Sequence, residues 1–266
     1  MAIPSRQIGA PSGDKAKLLW YISKQLEKLT GVMYSNPVHV NPSTTTTTTT
    51  AAPMPNMSLT VSNDLGLFDI ASDSDFTIEW FAFYANTDNH PRAYSFGSYF
   101  TGGASHAVSI ENGIFYWWVN GTIIINVPVS IEGGWHHFCI QRSSNQVHIY
   151  IDGASVADAN YSSNIPTSAK PLYIGSEGDD SLSNALFSNF RWNSTTAVYN
   201  PAGFTPPSTP LTSVFGTNLL LFQGETLNDE LMDGSGQGST INNGTGVYNG
   251  SNPFGGYAGS ILFGTV

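Results

Sequence analysis

A single cysteine, Cys139, in 266 residues excludes an intrachain disulfide and any zinc ligand set built on paired cysteines. Charge is scarce as well, at 11% of residues, and it is one-sided: nine Lys and Arg stand against nineteen Asp and Glu. A net charge of −10 argues against nucleic acid and anionic membrane as partners. No apolar run approaches the ~20 residues that a bilayer span requires. The opening MAIPSRQIGAPSGDKAK has no apolar core of signal-peptide length, so the expectation is a chain made in a cytosol. There is no Gly-x-Ser-x-Gly nucleophile elbow and no phosphate-binding glycine loop.

What the chain does have is turn formers and aromatics. Gly, Thr, Ser and Asn are abundant, and six Trp, twelve Tyr and fifteen Phe rule out a wholly disordered polymer. The charge is also unevenly spread. Residues 1–50 carry Arg6, Lys15, Lys17, Lys24 and Lys28 against Asp14 and Glu27, a net +3. The remainder holds four basic and seventeen acidic residues, a net −13.

Three parts follow from composition. Residues 1–32 predict an amphipathic helix, with Asp14 as its cap and Gly31 as its stop. Leu19, Ile22, Leu26 and Leu29 are spaced by 3, 4 and 3, an a/d seam for anchoring or self-association. Two heptads do not separate dimer from trimer; the expectation is a homo-oligomer, with a trimer favoured. Residues 33–56 predict a linker. Seven consecutive threonines bury no core, and Pro42, Pro53 and Pro55 block a helix. Residues 57–266 predict the folded head.

In that head, strands are expected at residues 75–85, 93–100, 104–111, 114–119, 122–127, 135–142, 147–152, 171–175, 185–193 and 218–223. Asn112-Gly113, Asn120-Gly121 and Asp152-Gly153 are tight-turn signals. Many short strands joined this way predict a β-sandwich or jelly roll. From about Asp233 the sequence reads as an irregular covering strap, with residues 260–263 as a final strand.

Trp135-His136-His137 suggests metal or acid–base chemistry, but it sits on a strand. Neighbouring strand side chains point to opposite faces, so His136 and His137 cannot converge on one ion. The pair is expected to be wall rather than site.

The motifs now carry a resemblance. Phe76-Thr77-Ile78-Glu79-Trp80, then Trp135-His136-His137-Phe138 with Arg142, then Ile149-Tyr150-Ile151-Asp152-Gly153, Leu172-Tyr173-Ile174-Gly175 and Phe187-Ser188-Asn189-Phe190-Arg191 resemble a laminin-G-like domain in sequence and order. This implies an all-β fold, a concanavalin A-like jelly-roll sandwich, with the N-terminal α-helix and extended linker in front. Ala185 departs from the glycine often found there, which predicts a looser turn. The ends of the chain resemble tailed-bacteriophage virion proteins: Ile3-Pro4-Ser5-Arg6-Gln7-Ile8-Gly9, the threonine run, Phe204-Thr205-Pro206-Pro207 and Asn252-Pro253-Phe254. That resemblance implies a fibre, decoration or tail-associated subunit in a virion, assembled in the host cytoplasm. Its partners would be other virion proteins and a cell-surface glycan.

Three chemistries can be weighed on this fold. Glucanases of the class carry Glu-x-Asp-x-x-Glu on one strand, and retaining hydrolysis needs two carboxylates about 5–5.5 Å apart. The motif is missing and Glu79 stands alone on its strand, so no enzyme activity is expected. Glu177, Asp179 and Asp180 form a weak calcium candidate of hard oxygen ligands; no other cofactor is expected. For glycan, Tyr116-Trp117-Trp118 puts Trp117 on one face and Tyr116 and Trp118 on the other, and an exposed aromatic can stack on a sugar ring. Tyr99, His106, Trp117, Trp118 and Asn120 are the candidate contacts. The leading expectation is a virion protein with a projected head. A stand-alone carbohydrate-binding module is the alternative, and a glucanase-like enzyme the third.

Overall fold

The computed structural model describes residues 59–63, 66–88, 91–97, 106–167, 170–177, 183–224, 226–243, 246–255 and 259–263. The expected N-terminal helix, with Leu19, Ile22, Leu26 and Leu29, and the linker lie outside the described residues.

Fifteen strands are described: β1 (Leu59–Val61), β2 (Phe76–Tyr84), β3 (Arg92–Phe96), β4 (His106–Glu111), β5 (Ile114–Val119), β6 (Thr122–Pro128), β7 (Trp135–Ser143), β8 (Gln146–Ile151), β9 (Ala154–Asn160), β10 (Leu172–Ile174), β11 (Ala185–Asn193), β12 (Thr217–Leu221), β13 (Ile241–Asn243), β14 (Val247–Asn249) and β15 (Ser260–Phe263). One short helix, α1 (Leu227–Glu230), is capped by Thr226. The strands form two antiparallel sheets packed as a sandwich. One runs β13-β1-β10-β3-β4-β5-β6; the other runs β14-β15-β11-β2-β7-β8-β9, with β12 also paired to β11.

Local chemistry set the hairpins. Asn112-Gly113, Asn120-Gly121, Ser144-Asn145 and Asp152-Gly153 all have both turn residues at positive φ, between 49° and 76°. These are two-residue turns whose twist matches that of the strands they join. Where a glycine was looked for at Ala185, the left-handed residue is Asn184 (φ 44°), one position earlier, and Ala185 continues the strand.

Even-numbered residues of β2 and β7 face the other sheet. Trp80 stacks on Phe138 at 5.4 Å and meets Tyr94 edge-on at 5.8 Å. Around them lie Phe76, Phe96, Phe115, Trp117, Phe190 and Trp192, all fully buried. Burying one such side chain contributes about 1.5–3 kcal/mol, so each ring of this layer adds measurably to the stability of the head.

The other face of the second sheet is covered as well, by the segment 194–215. Thr77 and Gln141 exchange side-chain bonds with the backbone of Thr196, Val198 and Tyr199 at 2.8–3.0 Å. Asn189 Oδ1 accepts the Leu211 N–H at 2.7 Å. Irregular backbone has no ladder partners, so these side chains satisfy it. The segment crosses the β8–β9 turn where Gly153 (φ 76°) lies against the Phe204 carbonyl, leaving no room for a Cβ.

Three expectations needed correction. β9 was not anticipated: ASVADAN is a polar edge strand with little periodicity to read. β1 was missed because three residues carry too little pattern. The region after Asp233 is not wholly irregular, since β13 and β14 precede β15.

Candidate functional site

The histidine pair is wall, as its spacing required. His136 turns to the rim and pairs with Asp152 at 2.7 Å. His137 points the other way, fully buried, with Nε2 2.9 Å from Glu79 Oε2. A carboxylate only accepts, so His137 Nε2 carries the proton. Arg191 Nε donates to Glu79 Oε1 at 2.8 Å, and the Tyr199 hydroxyl donates to Oε2 at 2.7 Å. Burial alone would raise the Glu79 pKa. The His137 hydrogen bond and the Arg191 charge outweigh it, and the carboxyl stays below its ordinary value. Burial, aided by the negative charge of Glu79, pushes the Tyr199 hydroxyl up. Glu79, His137 and Arg191 are buried beneath segment 194–215, and the half-buried Tyr199 ties that segment to the sheet.

The glycan candidates separate by face. His106 and Trp117 lie fully buried between the sheets. The Trp117 indole N–H donates to His106 Nε2 at 2.6 Å, with the Tyr94 hydroxyl 3.2 Å away. Burial holds the His106 pKa down to about 3, so the ring is neutral. Neither residue can touch a sugar at the surface, because the inward face of β5 is core. Asn120 occupies the exposed β5–β6 turn at φ 49°. Tyr99 lies outside the described residues.

Trp118 is placed as the alternation implies, on the outer face of β5 and half-buried beside Tyr116. Their ring centroids are 6.0 Å apart and tilted by 33°. The indole N–H of Trp118 donates to Ser109 Oγ at 3.1 Å across the β4–β5 ladder, which fixes the ring plane. A register shift between Trp117 and Trp118 against β6 turns this part of the strand, and bulges of this kind re-aim side chains. Asn126 lies opposite Tyr116 and the exposed Ile123 opposite Trp118. Tyr116, in the sequence only the neighbour that sets the face, has its ring beside that of Trp118.

The calcium candidate does not assemble among the described residues. Glu177 is buried, with Oε2 2.7 Å from Arg92 Nε, and Arg92 also pairs with Glu111 at 2.7 Å. The Glu177 carboxylate is therefore neutralised by a guanidinium rather than offered to a cation. Asp179 and Asp180 lie outside the described residues. No cluster of three or more His, Cys, Asp or Glu able to hold a metal occurs among the described residues.

Residues 56–197 match the family model Laminin_G_3, described as the concanavalin A-like lectin/glucanases superfamily. Solved structures of similar fold include a candidate carbohydrate binding protein from Bacteroides ovatus, at 15% identity and TM-score 0.47, covering 71% of this chain and 60% of that one. A heptameric SAP-like pentraxin from Limulus polyphemus has 17% identity and TM-score 0.40, over 55% of this chain and 74% of that one. A carbohydrate binding module from Bacillus subtilis has 21% identity and TM-score 0.31, over 45% and 75%. The chain thus spans 60% of the length of the Bacteroides protein. A search of curated proteins gave no match.

Proposed function

The chain belongs to the concanavalin A-like lectin/glucanases superfamily, and from that premise we propose that its head binds carbohydrate without cleaving it. The observation that carries this reading is the Tyr116–Trp118 pair: two half-exposed aromatic rings, side by side on a sheet face, one of them fixed by Ser109. A ring fixed before binding loses little entropy when a sugar stacks on it. Binding is favoured over hydrolysis because the carboxylate of Glu79 is consumed by Arg191, His137 and Tyr199. Retention of the full chain on immobilised neutral polysaccharides tests it. Trp118→Ala should release the protein at unchanged fold; retention equal to the wild type refutes the platform.

The finer reading places this head on a phage particle, joined by the 33–56 tether to an oligomerising N-terminal helix. Its support is the sequence resemblance at both ends of the chain and the charge contrast between arm and head. Repetition of a weak site on one particle would raise avidity. Deleting residues 1–30 should reduce the assembly to single copies that still bind; an unchanged mass in solution refutes it.

A further inference from the structure

At the rim where β5 begins, a cleft of about 380 Å³ is lined by Thr87, Asn112, Gly113, Ser130, Glu132 and their neighbours, Asp88 among them. Three connections meet there: the loop after β2, the β4–β5 turn and the crossing from β6 to β7. We propose that this cleft is a second subsite of the same binding surface, taking one ring of a neutral saccharide whose next rings run onto Tyr116 and Trp118. The proposal rests on the carbohydrate-binding reading.

The cleft is built rather than incidental. Glu132 is held by a bridge to Tyr84, and its Oε1 accepts both the Thr87 N–H at 2.8 Å and the Thr87 hydroxyl at 2.7 Å. That hydroxyl in turn accepts the Gly113 N–H at 2.9 Å, and Asn112 N–H donates to the Thr87 carbonyl at 2.9 Å. Thr87 is 3% exposed, so its polar groups are used within the protein. The Glu132 side chain remains exposed, with Oε1 alone taken up by Thr87, beside the exposed Asn112, Ser130 and Asp88. The wall is therefore rich in acceptors and, among the described residues, carries no Lys or Arg. Such a wall accepts hydrogen bonds from paired sugar hydroxyls and repels uronates and sulfated sugars, in keeping with the −10 charge of the whole chain. From Gly113 to Tyr116 the strand advances about 10 Å, a length that a short oligosaccharide spans.

The test is calorimetric titration of the full chain with cellohexaose, maltohexaose, chitohexaose and, as an anionic control, an alginate hexamer. At least one neutral hexamer should bind, and the alginate hexamer should bind at least tenfold more weakly. Glu132→Gln should weaken the neutral ligand about tenfold. Asn112→Gly keeps the positive-φ turn while removing the amide, and it should weaken binding severalfold at unchanged melting temperature. If both cleft variants bind like the wild type while Trp118→Ala does not, the cleft is overturned and the platform stands. Equal or tighter binding of alginate overturns the cleft's specificity. If no neutral hexamer binds the wild type at millimolar concentration, the cleft and the carbohydrate-binding reading fall together.

Discussion

Glu230 offers a sharp test of the packing at the C-terminal end. It closes α1 and is fully buried. Oε1 accepts the Gly259 N–H at 3.0 Å, whereas Oε2 has no partner among the described residues. Burial raises its pKa from 4.5 to about 7, with the Gly259 and Gly224 amides opposing the shift. Between those values the folded state binds a proton that the unfolded chain has released. The stabilisation is full below pH 4.5 and is lost as pH rises through about 7. The displacement corresponds to about 3 kcal/mol, or roughly 6–12 °C in melting temperature for a head of this size. Glu230→Gln keeps the shape and removes the titration. Urea or thermal unfolding of both proteins from pH 5 to pH 9 isolates the effect, because every other titrating group cancels in the difference. The variant should differ little from the wild type at pH 5, gain on it steadily as pH rises toward 7, and hold a constant advantage of about 3 kcal/mol from about pH 8 to pH 9. Parallel curves across that range refute a neutral, buried Glu230.

Other outcomes follow from the same structure. Arg191→Met strands the Glu79 carboxylate under segment 194–215 and should cost about 3–5 kcal/mol in chemical denaturation, with Glu79→Gln in the same chain restoring part of it. Trp117→Ala empties core volume and should cost about 3–5 kcal/mol, whereas Trp118→Ala should leave the melting temperature nearly unchanged while reducing polysaccharide retention. The His106 ring protons in an NMR titration should stay at their neutral positions from pH 8 down to pH 4, because its pKa is held near 3; a midpoint near 6.5 would show an open site instead.

Much of the head was legible locally. Asn-Gly and Asp-Gly pairs announce their turns because those residues enter the left-handed region at little cost. Long strands such as β2, β7 and β11 announce themselves by β-branched and aromatic content. The polar β9 and the three-residue β1 did not, since an edge or very short strand is held by its partner more than by its own side chains. Trp117 and Trp118 lie on opposite faces of β5, as their spacing implied. That the Trp117 face, with His106, is the core was not legible, because proximity in sequence says nothing about which side of a sheet is covered.

The amino-acid order alone determined the period of two: Trp117 opposite Tyr116 and Trp118, His136 opposite His137. That follows from the stereochemistry of any extended chain. Which face of each strand became core was decided only in three dimensions. Glu79 meets His137, Arg191 and Tyr199 across separations of 58, 112 and 120 residues, and Glu132 meets Thr87 across 45. A strand's alternation is written into its own bonds; its surroundings are supplied by distant segments that arrive when the sheets close.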